Sequence, residues 1–169
     1  MNKRTMLIAA GSLVVGVVLT LVIGFYSMPG MMMLEDASPY GFDRTVEVFE
    51  TTVRAEGWSV LTVHDMQQIL AGHGHDVNAV KIFELCSSKY SAEILALDDE
   101  RIVSPLMPCR VAIYEKSDGV TYIARMNSDL MARPFGGVIS SVMQVAAVET
   151  EQVIAQVLNG EAVAAAPAQ

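Results

Sequence analysis

Twenty-one consecutive residues, Met6 to Tyr26, carry no charge, and Lys3 and Arg4 stand just before them. A helix rises about 1.5 Å per residue, so the run spans roughly 30 Å, the hydrocarbon thickness of a bilayer. The flanking positive charges favour a cytoplasmic N-terminus. The rest of the chain is then expected on the other side, as a periplasmic domain on a single-pass inner-membrane anchor. A cleaved signal peptide is the rival reading, but its apolar region is typically about 7–15 residues and ends at a small-x-small site. Gly24-Phe25-Tyr26-Ser27-Met28-Pro29 has no Ala-x-Ala and no cysteine for lipid attachment. Phe25 and Tyr26 also stand where interfacial aromatic residues anchor a helix. The expected division is an anchor over 1–27, one domain over 28–160 and an Ala/Pro-rich, disordered tail over 161–169.

Once Lys3 and Arg4 are set aside, nine basic residues face nineteen acidic ones, a net charge of −10. Such a surface repels phosphate backbones, so nucleic acid is not an expected partner. It also opposes flat docking on anionic lipid. About 130 residues suffice for one domain with its own core.

Hydrophobic periodicity sets the element order. Met31 to Ala37 reads as a first strand. Phe42, Val46, Phe49 and Val53 share one face of a helix that Asp43 can cap and Gly57 can end. Trp58 to Val63 reads as a strand with Trp58, Val60 and Thr62 on one side. Asp65 opens a short helix with Gln68 three residues on, and Gly72-His73-Gly74-His75 breaks it. Ala79 to Cys86 is a strand and Ser88 to Leu97 a short helix, followed by a charged loop at Asp98-Asp99-Glu100-Arg101. Asp118-Gly119 joins two β-rich runs, Cys109 to Glu115 and Val120 to Met126, as a hairpin. Ile139, Met143, Ala146, Thr150, Val153 and Val157 line a long final helix that stops at Asn159-Gly160. The class is α+β, an antiparallel sheet with helices packed on one face.

The chain also resembles a known family over about Ser38 to Val157. The residues that carry the likeness are Ser38-x-Tyr40-x-Phe42-x-x-Thr45, Gly57-Trp58-x-Val60, Glu84-Leu85-Cys86, Met107-Pro108-Cys109-Arg110-Val111 and Tyr114-Glu115-x-x-Asp118-Gly119. Their order and spacing are similar to those of the domain of unknown function 302 family. The resemblance implies a two-layer α+β fold like that of the TATA-binding protein, often as a homodimer. It implies no reaction, so no catalytic residue carries over.

Three groups of residues could carry chemistry. Cys86 ends one strand and Cys109 begins the next, so antiparallel pairing brings both sulfurs to one edge of the sheet. In an oxidising compartment this suits a structural disulfide, which would stabilise the fold by roughly 3 kcal/mol. Kept reduced, the pair suits thiol–disulfide chemistry or, with Met107, a soft-metal site for copper, since thiolate and thioether ligands select Cu(I). Two unlinked, buried thiols are the plainest alternative.

The second group is the methionine tract Met28, Met31, Met32 and Met33. It can bind copper through thioether sulfur or simply fill apolar space. The third is His73 and His75, which could ligate Zn²⁺ or Cu²⁺ but sit in a Gly-rich loop with no second ligand pair. GxSxG, HExxH, P-loop, GxGxxG and CxxC patterns are absent, so enzymatic function has no motif to stand on. Glu84 is the one charge to inspect in an otherwise apolar strand. The favoured function is a membrane-anchored, extracytoplasmic binding module for a metal ion or small molecule. Thiol–disulfide redox activity and a structural role in assembly are the alternatives.

Overall fold

The computed structural model describes residues 2–160, and the tail expected over 161–169 lies outside the described residues. Helix α1 runs over Lys3–Met32, and its Met6–Met32 stretch is long and apolar enough to cross a membrane. It continues past the expected boundary at Ser27, so Met28, Met31 and Met32 are helical and the first strand begins only at Met33. A distant residue explains the extension. The last carbonyls of a helix lack intrahelical donors. Here Asn127 supplies them, its backbone N–H donating to Met32 O at 2.8 Å and its Nδ2 to Met31 O at 3.1 Å.

The domain follows as β1 (Met33–Ala37), α2 (Phe42–Ala55), β2 (Ser59–Asp65), α3 (Met66–Ala71), β3 (Val80–Cys86), α4 (Ser88–Leu95), a 3-10 turn over Glu100–Leu106, β4 (Cys109–Glu115), β5 (Thr121–Met126), α5 (Ser128–Ala132), a second 3-10 turn over Arg133–Phe135, and α6 (Gly137–Asn159). The five strands form one sheet in the order β1-β5-β4-β3-β2, with every neighbouring pair antiparallel. Alternation then decides the two faces. Phe83, Leu85, Val111, Ile113, Thr121, Ile123 and Arg125 point into the core, where α2, α4 and α6 cover them. The centre is Phe49 of α2 against Phe83 of β3, both fully buried, with ring centroids 5.2 Å apart and edge to face.

Some local expectations shift. The cap of α2 is Gly41 rather than Asp43, because Thr45 Oγ1 turns back to donate to Gly41 O at 3.0 Å. Asp43 remains in the first turn, where the helix dipole favours a negative charge. On β2 a bulge between Val60 and Thr62 breaks the expected face. Trp58 and Val60 face the core, whereas Thr62 pairs with Glu84 on the outer side. The charged segment at Asp98–Arg101 leads into a 3-10 turn that buries Val103.

Candidate functional site

Strand direction gives the sheet two chemically different ends. Met33 opposes Met126, Cys109 opposes Leu85 and Ser59 opposes Cys86. The ends of β3 and β5 and the starts of β1, β2 and β4 therefore gather at one edge, the one that receives α1. The other edge carries the Asp118-Gly119 turn and the loop before β3. That loop holds His73 and His75, both exposed. Six residue steps along β3, roughly 20 Å, separate its start from Cys86. The histidines and cysteines thus belong to opposite ends of the sheet and cannot share an ion. His64 is apart from the other two, its Nε2 3.3 Å from Glu84 on the outer face. Glu84 also meets Arg110 Nη2 at 3.2 Å, so the one acidic residue of β3 is an ion-paired group on the outer face.

At the α1 end the sulfur residues converge. Cys86, Met107 and Cys109 line one cavity of about 20 Å³, closed by Trp58, Tyr90 and Ser91. The two thiols are not bonded to each other. The register gives the reason: Cys109 sits opposite Leu85, so Cys86 is offset from it by one residue rather than being its cross-strand partner. Each thiol has its own surroundings. Cys86 Sγ lies 3.3 Å from Ser91 Oγ. Cys109 is held among apolar groups, and burial, aided by the nearby Cys86, pushes its thiol pKa up.

Glu149 of α6 fixes the aromatic wall. Trp58 Nε1 donates to it at 3.2 Å and the Tyr90 hydroxyl to its other oxygen. The hydrogen bond to Glu149, then burial, raises the Tyr90 pKa, so the phenol stays a donor. Among the described residues, no group of three or more His, Cys, Asp or Glu side chains stands together as a metal site. The sulfur cavity instead has two thiols and two thioethers, Met107 just before β4 and Met143 of α6.

The raised pKa has a direct consequence. Thiolate, not thiol, is the nucleophile. In the folded chain Cys109 should alkylate with iodoacetamide several-fold more slowly than in urea. The gap should narrow as pH rises, because a group with a raised pKa ionises only at higher pH. Peptide mass spectrometry over time reads this, and equal rates folded and unfolded at neutral pH would contradict the burial.

A larger groove of about 460 Å³ opens beside the cavity, between α6 and the β4–β5–β1 side of the sheet. Leu34, Val111, Val148 and Ala155 give it apolar walls, and Cys109 lies on its border. On its floor is Arg125, 8% exposed. Its guanidinium donates from Nε to Glu151 Oε1 at 2.9 Å, from Nη2 to Glu151 Oε2 and from Nη1 to Asp36. Burial opposes the charge, but the hydrogen bonds that the guanidinium donates to Glu151 and Asp36 outweigh it and hold the pKa above its ordinary value. Sequence reasoning missed this triad and the Glu149 clamp. One signal was present: Arg125 follows Thr121 and Ile123 on the core-facing alternation of β5, where a charge requires partners.

The comparisons with known proteins agree with the architecture. The family model described as domain of unknown function DUF302 matches residues 34–159. A crystal structure of an uncharacterized conserved protein DUF302 from Bacillus stearothermophilus superposes with a TM-score of 0.68 at 19% identity. That match covers 75% of this chain and 98% of the other, and it speaks for the fold alone. No curated protein matches the chain. With the family model covering most of its length and the sheet-and-helix layers in agreement, the chain belongs to the domain of unknown function DUF302 family.

Proposed function

We propose that this chain is a membrane-anchored binding module on the extracytoplasmic side of the inner membrane that holds a soft metal ion, Cu(I), between Cys86, Cys109 and Met107. The observation that supports it is the shared cavity. Three sulfur side chains from the end of β3 and the start of β4, with Met143 of α6 beside them, line a space of about 20 Å³. That is the scale of a single water or ion. Two thiolates and a thioether form a donor set that selects Cu(I) over oxygen-seeking cations. Structural zinc sites draw four ligands from Cys, His and carboxylate side chains, and this cavity supplies only two of that kind, its thiols. Both thiols must give up their protons to bind, so two thiols and Cu⁺ become a dithiolate complex of net charge −1 and two protons. The Ser91 hydroxyl can donate to the Cys86 thiolate so formed.

The test uses the full chain in detergent micelles, reduced and under nitrogen, titrated with Cu(I) against a chromogenic chelator. The expected result is about one ion per chain with release of about two protons. The Cys86→Ser/Cys109→Ser variant should lose binding, and Met107→Leu should weaken it. Equal uptake by the wild type and the double-serine variant sinks the proposal.

A second reading has one specific observation behind it. The 460 Å³ groove has room for a small organic ligand. Its charges, however, are already paired, Arg125 within its triad, Arg110 with Glu84 and Asp129 with Arg133, so it offers shape more than recognition. Thiol–disulfide exchange has less support, because a buried thiol with a raised pKa is a poor nucleophile.

A further inference from the structure

The segment after β5 is unusually apolar for a surface turn. Leu130, Met131, Pro134 and Phe135 lie in or just after α5, and Phe135 is 49% exposed. Leu130, Met131 and Pro134 face Gly24, Met28, Met31 and Met32 of α1 across a gap of about 380 Å³. Every residue lining that gap is apolar or glycine. Water gains few partners in such a space.

The depth of the gap along α1 identifies what fills it. If Met6 marks the inner boundary of the hydrocarbon, roughly 30 Å of helix places the outer boundary near Tyr26. Gly24 is then about 3 Å inside that boundary and Met28 about 3 Å beyond it. The gap straddles the level where acyl chains meet headgroups.

We infer that Leu130–Phe135 is a membrane-seated wedge, inserted beside α1 into the outer interfacial layer of the bilayer that α1 spans. Apolar side chains gain by leaving water at this depth, as they do in interfacial helices. The attraction is not electrostatic: the domain is strongly acidic, and the wedge's one cation, Arg133, is paired with Asp129 at 2.5 Å. The wedge and α1 together hold the domain upright with the α1 end of the sheet facing the lipid. Leu106 and Met107 share a second apolar cavity with Met131 and Phe135, so the Met107 side of the sulfur cavity borders the wedge. A soluble partner would then approach from the histidine end of the sheet, and a partner in the same membrane from the sulfur end.

This inference rests on α1 spanning the membrane, and the experiment separates the two. The full chain is reconstituted in phosphatidylcholine vesicles whose acyl chains are brominated either close to the carbonyl or close to the methyl end. Three proteins are compared by tryptophan emission: the wild type, whose single Trp58 is buried in the domain, Phe135→Trp and Val17→Trp. Both substituted positions are exposed in the protein, so neither exchange opens the core. The added emission of Phe135→Trp should be largely lost to the carbonyl-end bromines and that of Val17→Trp to the methyl-end bromines, with Trp58 unaffected. If Val17→Trp is quenched but Phe135→Trp is not, and aqueous iodide quenches the latter, the wedge is overturned and the anchor stands. If Val17→Trp is quenched by neither lipid, the anchor fails and the wedge falls with it.

Discussion

Phe49→Ala should lower the unfolding free energy of the domain by about 3–5 kcal/mol. Phe49 is completely buried and meets Phe83 edge to face at 5.2 Å, so the substitution removes the helix's ring from the helix–sheet interface and leaves Phe83 without its partner. The cost combines the lost transfer energy with a cavity that neighbouring helices cannot close, since α2 is held at its start by the Ser38–Thr45 hydrogen bond of 2.7 Å and at its end by Trp58 N–H to Val53 O at 3.1 Å. An aromatic pair of this geometry adds about 0.5–1.5 kcal/mol beyond its area, so the upper part of the range is expected. Trp58 reports the event cleanly, because it is the single tryptophan and lies in the same core while α1 stays in the micelle. In urea the midpoint should fall with the slope unchanged. Phe49→Leu should keep most of the stability, as larger hydrophobic replacements do. A loss below about 1 kcal/mol for Phe49→Ala would mean that α2 does not pack on the sheet as described.

What was legible in the sequence is what local pattern determines. The Asp118-Gly119 hairpin and the apolar face of α6 needed only neighbours in sequence, and both stand as read. The meeting of Cys86 and Cys109 at one sheet end followed from antiparallel order alone. The separation of His73 and His75 from that end was legible too, since they precede the strand that Cys86 closes. The rest depends on contacts between distant residues. Met31 and Met32 read as the opening of the first strand, with Met31 and Met33 alternating, yet Asn127 caps Met31 and Met32 into α1. The inward or outward sense of Thr62 depends on a bulge that no turn residue announces. The Arg125 triad joins β5, β1 and α6, and no spacing rule links three such positions. The wedge was hidden for a related reason. Leu130 and Met131 follow no local pattern that sets them apart, and only their place beside Gly24 and Met28 does so.

Arg125→Met should destabilise the domain by about 2–3 kcal/mol at low salt, somewhat below the cost of breaking a fully buried pair. The Arg125 side chain is 9% exposed, but those of its partners Asp36 and Glu151 are 45% and 42% exposed, so solvent shares their charge. Methionine fills much of the same volume, and the loss is then electrostatic rather than steric. It leaves two carboxylates, one on edge strand β1 and one on α6, facing each other without the cation between them. Their repulsion acts to lift β1 from the groove, and added salt should recover part of the deficit by screening it. Arg125→Lys should recover only part as well, because an ammonium cannot span both oxygens of Glu151 while holding Asp36. Adding Glu151→Gln to Arg125→Met should cost less than the sum of the two single changes, a coupling readable in a double-mutant cycle by urea unfolding. Strict additivity would mean that the triad does not act as a unit. β1 follows α1 directly, so the triad also ties α1 to the body of the domain. Loosening it should leave Cu(I) stoichiometry unchanged, since Arg125 does not line the sulfur cavity. That contrast separates the residues that hold the sheet edge in place from the sulfur residues proposed to bind the ion.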